Sequence, residues 1–299
     1  MATILAPQET HPFTPPIESR QKRTRRLHLS GRLVFSSVLL GCILIFAMLG
    51  PIVMRGGDPL KIVGGLYDHP SASHLLGTDN FGRDVLVQLM YGTRSSLMVG
   101  FIAGTIAVLV GVAIGSIAGF RAGYTEEALM GVTNVVISIP SIVVLILLSI
   151  AVGSRSLLTM GVIIGITSWP WTARAVRAQT SSLRTRPHVD VARISGAGTL
   201  QLIAWEVLPY MLSYLCLAFV LQLAAGILQE AALSLLGLGP SQGVSLGIML
   251  HWALLWESVR TGAWWAFVPP TVMLTLISFG LLLLQTSLDE VFNPRLRRS

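Results

Sequence analysis

Charge is scarce in this sequence. Of its 299 residues 12% are Asp, Glu, Lys or Arg and 53% are hydrophobic, and the mean hydropathy is +0.70. A soluble domain carries about 25% charged residues, so a water-soluble globular fold is excluded. Lysine is almost missing: Lys22 follows Gln21 and Lys61 follows Leu60. Neither stands in the Gly-Lys-Ser or Gly-Lys-Thr that brings a lysine to nucleotide phosphates, which excludes ATP hydrolysis by a P-loop. The two cysteines, Cys42 and Cys216, both lie inside apolar runs, where a thiol acts as a small hydrophobe and says nothing of redox compartment. Histidines 11, 28, 69, 74, 188 and 251 show neither an HExxH spacing nor cysteine partners for zinc. A Gly-x-Ser-x-Gly string occurs once, from Gly239 to Gly243, but it follows an apolar helical run and not the strand that a nucleophile elbow needs, so no nucleophilic serine is indicated. The net charge of +7 does not indicate nucleic acid, because the basic residues fall in the gaps between apolar runs.

What is present is length of apolar run. Six runs, 33–54, 96–120, 129–152, 157–173, 208–228 and 267–284, are read as transmembrane helices, roughly 20 residues being needed to cross. The first is too long for a signal peptide core and is expected to be retained. With the amino end inside, the inner segments collect fifteen basic residues and the outer ones six, namely Arg55, Lys61, Arg83, Arg94, Arg155 and Arg260. That excess predicts cytoplasmic amino and carboxyl termini. No Asp, Glu, Lys, Arg or His lies in the core of any run, which argues against a self-contained ion-coupled carrier.

The second run carries Gly100, Gly104, Gly111, Gly115 and Gly119, spaced by four or seven. Such spacing lines one helical face with small residues, so this face is expected to pack closely on other helices. Pro140 and Pro170 are expected to kink the third and fourth spans. In the outer loop, Thr78 or Asp79 is expected to cap a helix at the membrane surface, with Asp79 and Asp84 as partners for Arg83. Glu126 and Glu127 suit a helix start. Trp252, Trp256, Trp264 and Trp265 read as interfacial anchors or a re-entrant segment.

Between the fourth and fifth spans lies a segment too polar for lipid, running from Arg184 to Pro209. Pro187 suits a first helical position, Asp190 the first turn, and the break from Gly196 to Gly198 the end of that helix. Thr199 is expected to cap a second short helix. Val189, Ala192 and Gly196 stand at i, i+3 and i+7, so one face is small and is expected to let a partner's backbone come close.

This segment resembles the cytoplasmic coupling loop, the EAA loop, of bacterial ATP-binding-cassette importer permeases. The matching residues are Asp190, Val191 and Ala192 for Glu-Ala-Ala, Gly196, and Val207, Leu208 and Pro209 at its end. The outer stretch GTDNFGRD from Gly77, the stretch from Glu230 to Gly239 and Asn293-Pro294-Arg295-Leu296 are similar to the dipeptide, oligopeptide and nickel branch of the same family. Asp for Glu, Val for the first Ala and Gln88 where many members have Arg are departures. The resemblance implies an all-α integral membrane protein with six transmembrane helices and a type I importer permease fold. It implies a basic cytoplasmic tail (1–32), a first span (33–54), an extracytoplasmic loop (55–95), a permease domain (96–287) with its coupling loop at 174–207, and a cytoplasmic tail (288–299). It further implies a non-catalytic subunit of the bacterial cytoplasmic membrane. Its partners would be a second related permease, two cytoplasmic ATPases and an extracytoplasmic solute-binding protein. No cofactor is expected in this chain, ATP and magnesium being bound by the ATPases. Asp190, Val191, Ala192, Arg193, Gly196 and Ala197 are the expected coupling contact, with Val207, Leu208 and Pro209 at the junction to the fifth span. Peptide is the expected solute, with oligosaccharides, nickel or opines as alternatives.

Overall fold

A computed structural model describes residues 30–53, 58–153, 156–241 and 243–292. The motif from Asn293 to Leu296 and the basic residues from Arg20 to Arg26 lie outside the described residues. Among the described residues there is no strand, only the isolated bridges Ile62 to Arg83 and Thr78 to Asp84. The helices are α1 (Gly31–Val53), α2 (Val85–Arg121), α3 (Gly123–Ser138), α4 (Ser141–Val152), α5 (Leu157–Leu183), α6 (Pro187–Ile194), α7 (Thr199–Gln201), α8 (Leu212–Leu233), α9 (Leu246–Leu255) and α10 (Trp264–Phe292).

α2 begins where a carboxylate is available to close it. Asp84 Oδ1 accepts the N–H groups of Leu86 at 2.8 Å and Val87 at 3.2 Å. The cap is therefore Asp84 and not Thr78 or Asp79. Asp79 instead accepts from the N–H groups of Phe81 and Arg83 and from Gln88 Nε2, folding the loop back on the helix. Arg83 lies over the Phe81 ring rather than pairing with a carboxylate. The expected surface helix and second span form one rod of 37 residues.

Pro140 does more than kink. α3 and α4 meet at 85°, because Pro140 has no N–H to donate and holds Ile139 in an extended conformation. Pro170, by contrast, lies inside an unbroken α5. Among the described residues four helical segments are long and apolar enough to cross a membrane, Gly31–Gly50, Val85–Arg121, Thr199–Leu238 and Trp264–Phe292, and the bent pair can count as a fifth. The fourth expected span lies in α5, which is long enough, but Trp169, Pro170, Trp171 and Arg174 lower its apolar character.

α2 is the axis of the bundle, with α5 running parallel on one flank and α8 antiparallel on another. Gly100 and Gly104 abut Leu223 and Ile227 of α8; Gly111, Gly115 and Gly119 abut Thr172, Ala173, Val176 and Arg177 of α5. Gly161 and Gly165 of α5 return the arrangement against Ile102 and Ile106. At Gly119 an added Cβ would stand 2.5 Å from the carbonyl oxygen of Arg177. Backbone meets backbone there.

At the end of the bundle where α2 begins, the loop before α2 packs on the turn after α9. Trp265 is buried and donates its indole N–H to Thr78 O at 3.0 Å, while Tyr67 Oη donates to Trp256 O. Trp265 is thus a clamp, not a lipid anchor; Trp256 and Trp264 remain about half exposed. Beneath this loop lies Glu230, 0% exposed, accepting from Ser96 Oγ of α2 at 2.9 Å and Ser234 Oγ at 2.6 Å, with Ser245 as a third partner. Ser96 Oγ also accepts the N–H of Leu246 at the start of α9. A carboxyl group thus lies inside the fifth span, which continues past residue 228.

Four variants have expected stability outcomes, each readable as thermal unfolding of the detergent-solubilised protein. Gly119→Ala should destabilise by about 1–3 kcal/mol, because the obstacle is a backbone carbonyl. Gly131→Ala, in α3 with nothing described within 4 Å of its Cβ, should instead stabilise by roughly 0.5–1 kcal/mol. Glu230→Ala should cost about 1–3 kcal/mol by orphaning buried hydroxyl donors, and Glu230→Gln distinctly less. Equal losses in the two glycine variants would refute the seam.

Candidate functional site

The segment between α5 and α8 folds as a short helix laid on the bundle's end. Pro187 opens α6 at a position whose N–H has no helical partner, Asp190 lies in the first turn and Arg193 in the last, and the two pair at 2.8 Å, each about half exposed. The helix ends in a Schellman motif. Gly196, with φ +90°, donates to Arg193 O and Ala197 donates to Ala192 O. That backbone conformation suits a residue without Cβ.

The faces are distributed differently from the expected pattern. Val189 is 0% exposed and belongs to a buried cluster with Val176, Leu202, Val207 and Met211, against which Ala192 and Ala197 pack. The small face of α6 therefore grips its own chain. Free in its place are Val191, 64% exposed, and Ile194, 88% exposed. Beside them, Ala192, Gly196, Trp205 and Glu206 help line a groove of about 280 Å³. Gly198, not Thr199, occupies the cap position of α7.

Beyond α7 the chain forms a π turn, Leu202–Val207, and then a 3-10 turn, Leu208–Met211. Pro209 accounts for the change: its ring and missing N–H prevent an α-helix from continuing past Trp205. Val207 is buried under α6, Leu208 half-buried and Pro209 exposed. His188 stacks on Tyr210 and contacts Glu206 O at 3.2 Å, fastening the start of α6 to this turn. Farther along the bundle end, Glu126 of α3 pairs with Arg177 of α5.

A second feature is a cavity of about 880 Å³ bounded by the α3–α4 corner, α5, α8 and the last turns of α10. Its walls are mainly apolar, including Val144, Leu148, Leu217 and Leu221, with Ser168, Gln222, Gln229, Gln285 and Asp289 interspersed. Gln222 Nε2 donates to Ser168 O at 3.0 Å and to Thr172 Oγ1 at 2.8 Å; Ser168 Oγ donates to Gln229 Oε1 at 3.3 Å. Sequence reasoning did not single out these residues. A signal existed in Gln222 and Gln229, polar groups seven residues apart in an otherwise apolar helix.

Comparison with known proteins agrees with this architecture. Residues 111–298 match the model of the binding-protein-dependent transport system inner membrane component family. The dipeptide transport system permease protein DppC of Bacillus subtilis is 30% identical over 95% of this chain and 88% of its own length. The oligopeptide transport system permease protein OppC of the same organism is 30% identical over 87% of this chain and 85% of its own. Among solved structures, a chain of the MetNI methionine ABC transporter in an inward facing conformation superposes with a TM-score of 0.52. It is 20% identical, covering 67% of this chain and 96% of that one, a likeness of fold. With the family model spanning most of the bundle and relatives matching nearly end to end, the chain belongs to the binding-protein-dependent transport system inner membrane components, as a multi-pass ABC importer permease.

Proposed function

We propose that this chain forms one half of the transmembrane path of a peptide importer and that α6 receives the movement of a cytoplasmic ATPase. The observation that carries the reading is the two-sidedness of α6: Val189 is sealed in the core while Val191 and Ile194 on the same short helix are bare. Exposed apolar side chains beside an Asp190–Arg193 pair form a surface suited to another protein rather than to water. Because α6 is fixed to α5 and to the start of α8, a push on it is passed to the helices that line the cavity.

The same reading places α6 and both chain termini in the cytoplasm, in keeping with the excess of basic residues in the inner segments. It assigns a second related permease to complete the path, two ATPases to hold ATP and magnesium, and an extracytoplasmic binding protein to deliver solute. Peptide as the cargo is supported by relatives whose names specify dipeptide and oligopeptide transport.

The test is a pull-down of the tagged permease from gently solubilised membranes, with an ATPase assay on the eluate. The wild-type chain should bring down a second permease and P-loop ATPases. Ile194→Asp should reduce ATPase recovery at least about tenfold, as expected for an anchor residue at an interface, and Gly196→Trp should do likewise, while the permease pair survives. A chain that elutes alone and transports in liposomes without ATP would be a self-contained carrier and would overturn the reading.

A further inference from the structure

The cavity lies between the helices that α6 would move, and its polar atoms are not arranged at random. Gln222 commits both hydrogens of its amide nitrogen to α5, one to Ser168 O and one to Thr172 Oγ1. A carbonyl oxygen can only accept, so this contact fixes which end of the amide faces α5. The opposite end, Oε1, takes no hydrogen bond from the described residues and is not fully buried, on a residue that lines the cavity. It is an acceptor held in place by two bonds at the other end of the same planar group.

Two helical turns along, Gln229 has the reverse arrangement. Its Oε1 accepts from Ser168 Oγ, which leaves the amide N–H groups for the cavity. Seven residues of α-helix set their backbones about 10.5 Å apart, and because both side chains turn to Ser168 their amide groups lie closer than that, within the span of neighbouring residues of one extended peptide. Around them the walls are mainly apolar, so side chains of different kinds can be tolerated. Asp289 is the one charged side chain among the described residues that line the cavity, and it belongs to the last turns of α10.

We infer that Gln222 and Gln229 hold the main chain of a passing peptide, Gln222 Oε1 accepting a peptide N–H and the Gln229 amide donating to a peptide carbonyl. The inference rests on the peptide reading above and adds to it a recognition step inside the permease. Main-chain contact with neutral amides explains how one path can carry peptides of many sequences: every peptide has the same N–H and C=O groups. A single hydrogen bond of this kind is also weak enough to release its cargo.

The experiment uses the complete importer in liposomes and two probes, tri-alanine and tri-alanine N-methylated on the backbone nitrogen of its central residue. Methylation removes one N–H donor and leaves the rest of the peptide in place. Wild type should transport tri-alanine about three- to tenfold faster than the methylated probe, the effect of one lost hydrogen bond. Gln222→Met should slow tri-alanine but not the methylated probe, so that the preference measured for wild type shrinks about three- to tenfold. Preferences that arise in other subunits are common to wild type and variant and cancel in this comparison. If Gln222→Met fails to assemble, Thr172→Val decides: it removes one of the two bonds orienting the amide and should weaken the preference without abolishing transport. An unchanged preference in the variants, or equal slowing of both probes, would mean that Gln222 only braces α5 and would overturn the inference. A wild-type importer that assembles and hydrolyses ATP but moves neither probe would refute the peptide reading itself, and the inference with it. A sugar hydroxyl would then be the donor to examine at the same oxygen.

Discussion

Close contact between α2 and its two neighbours is the constraint on which the other features depend. In lipid there is no solvent to drive apolar helices together, so association rests on dispersion and on how near the backbones can come. Glycines on α2 meet backbone atoms of α5 along one stretch and of α8 along another. This brings Ser96 within reach of Glu230 and holds α5 and α8 where Gln222 can span to Ser168 and Thr172. Both polar contacts are consequences of a distance set by missing side chains.

Polar groups inside the bundle then act locally. Glu230 joins α2, the end of α8 and the start of α9 through serine hydroxyls, and none of its partners is charged. A carboxyl group in this setting needs each of those hydroxyls, because every unmatched polar atom in lipid carries its full desolvation cost. The loop before α2 is fastened by comparable means: Trp265 to Thr78, Gln88 to Asp79. On the opposite side, the Asp190–Arg193 pair is half exposed and contributes little stability.

Much of this was legible in the sequence, and the exceptions have physical causes. Apolar runs reveal spans because lipid leaves few alternatives, and a glycine every fourth or seventh residue can mark only one helical face. Which face of α6 turns inward was not legible, since Val189 with Ala192 and Val191 with Ile194 are both apolar pairs three residues apart. Packing against Val207 and Met211, remote in sequence, makes that choice. The start of α2 was missed because Gln88, Thr93 and Arg94 look like surface residues. Gln88 is instead paired with Asp79, and Thr93 bonds to Leu89 O within its own helix. The fifth span reads as closing at residue 228, short of Glu230, because the three serines that make a buried carboxyl group tolerable come from separate places in the chain. The cavity glutamines went unremarked for a similar reason: Ser168 and Gln222 are 54 residues apart.

The length of α2 sets the scale of any motion passed across the membrane. Its 37 residues make a rod of about 55 Å, well beyond a hydrocarbon core of about 30 Å. One end is capped by Asp84 under the outer loop, and the other reaches the level of Glu126 and Arg177 near α6. A rod so placed is a lever whose fulcrum is the glycine seam. Tilting it by about 5° around its middle would carry each end some 2.4 Å in opposite directions. At the glycines the backbones could stay close through such a tilt, while Ile102 and Ile106, seated against Gly161 and Gly165, would keep α2 and α5 in register.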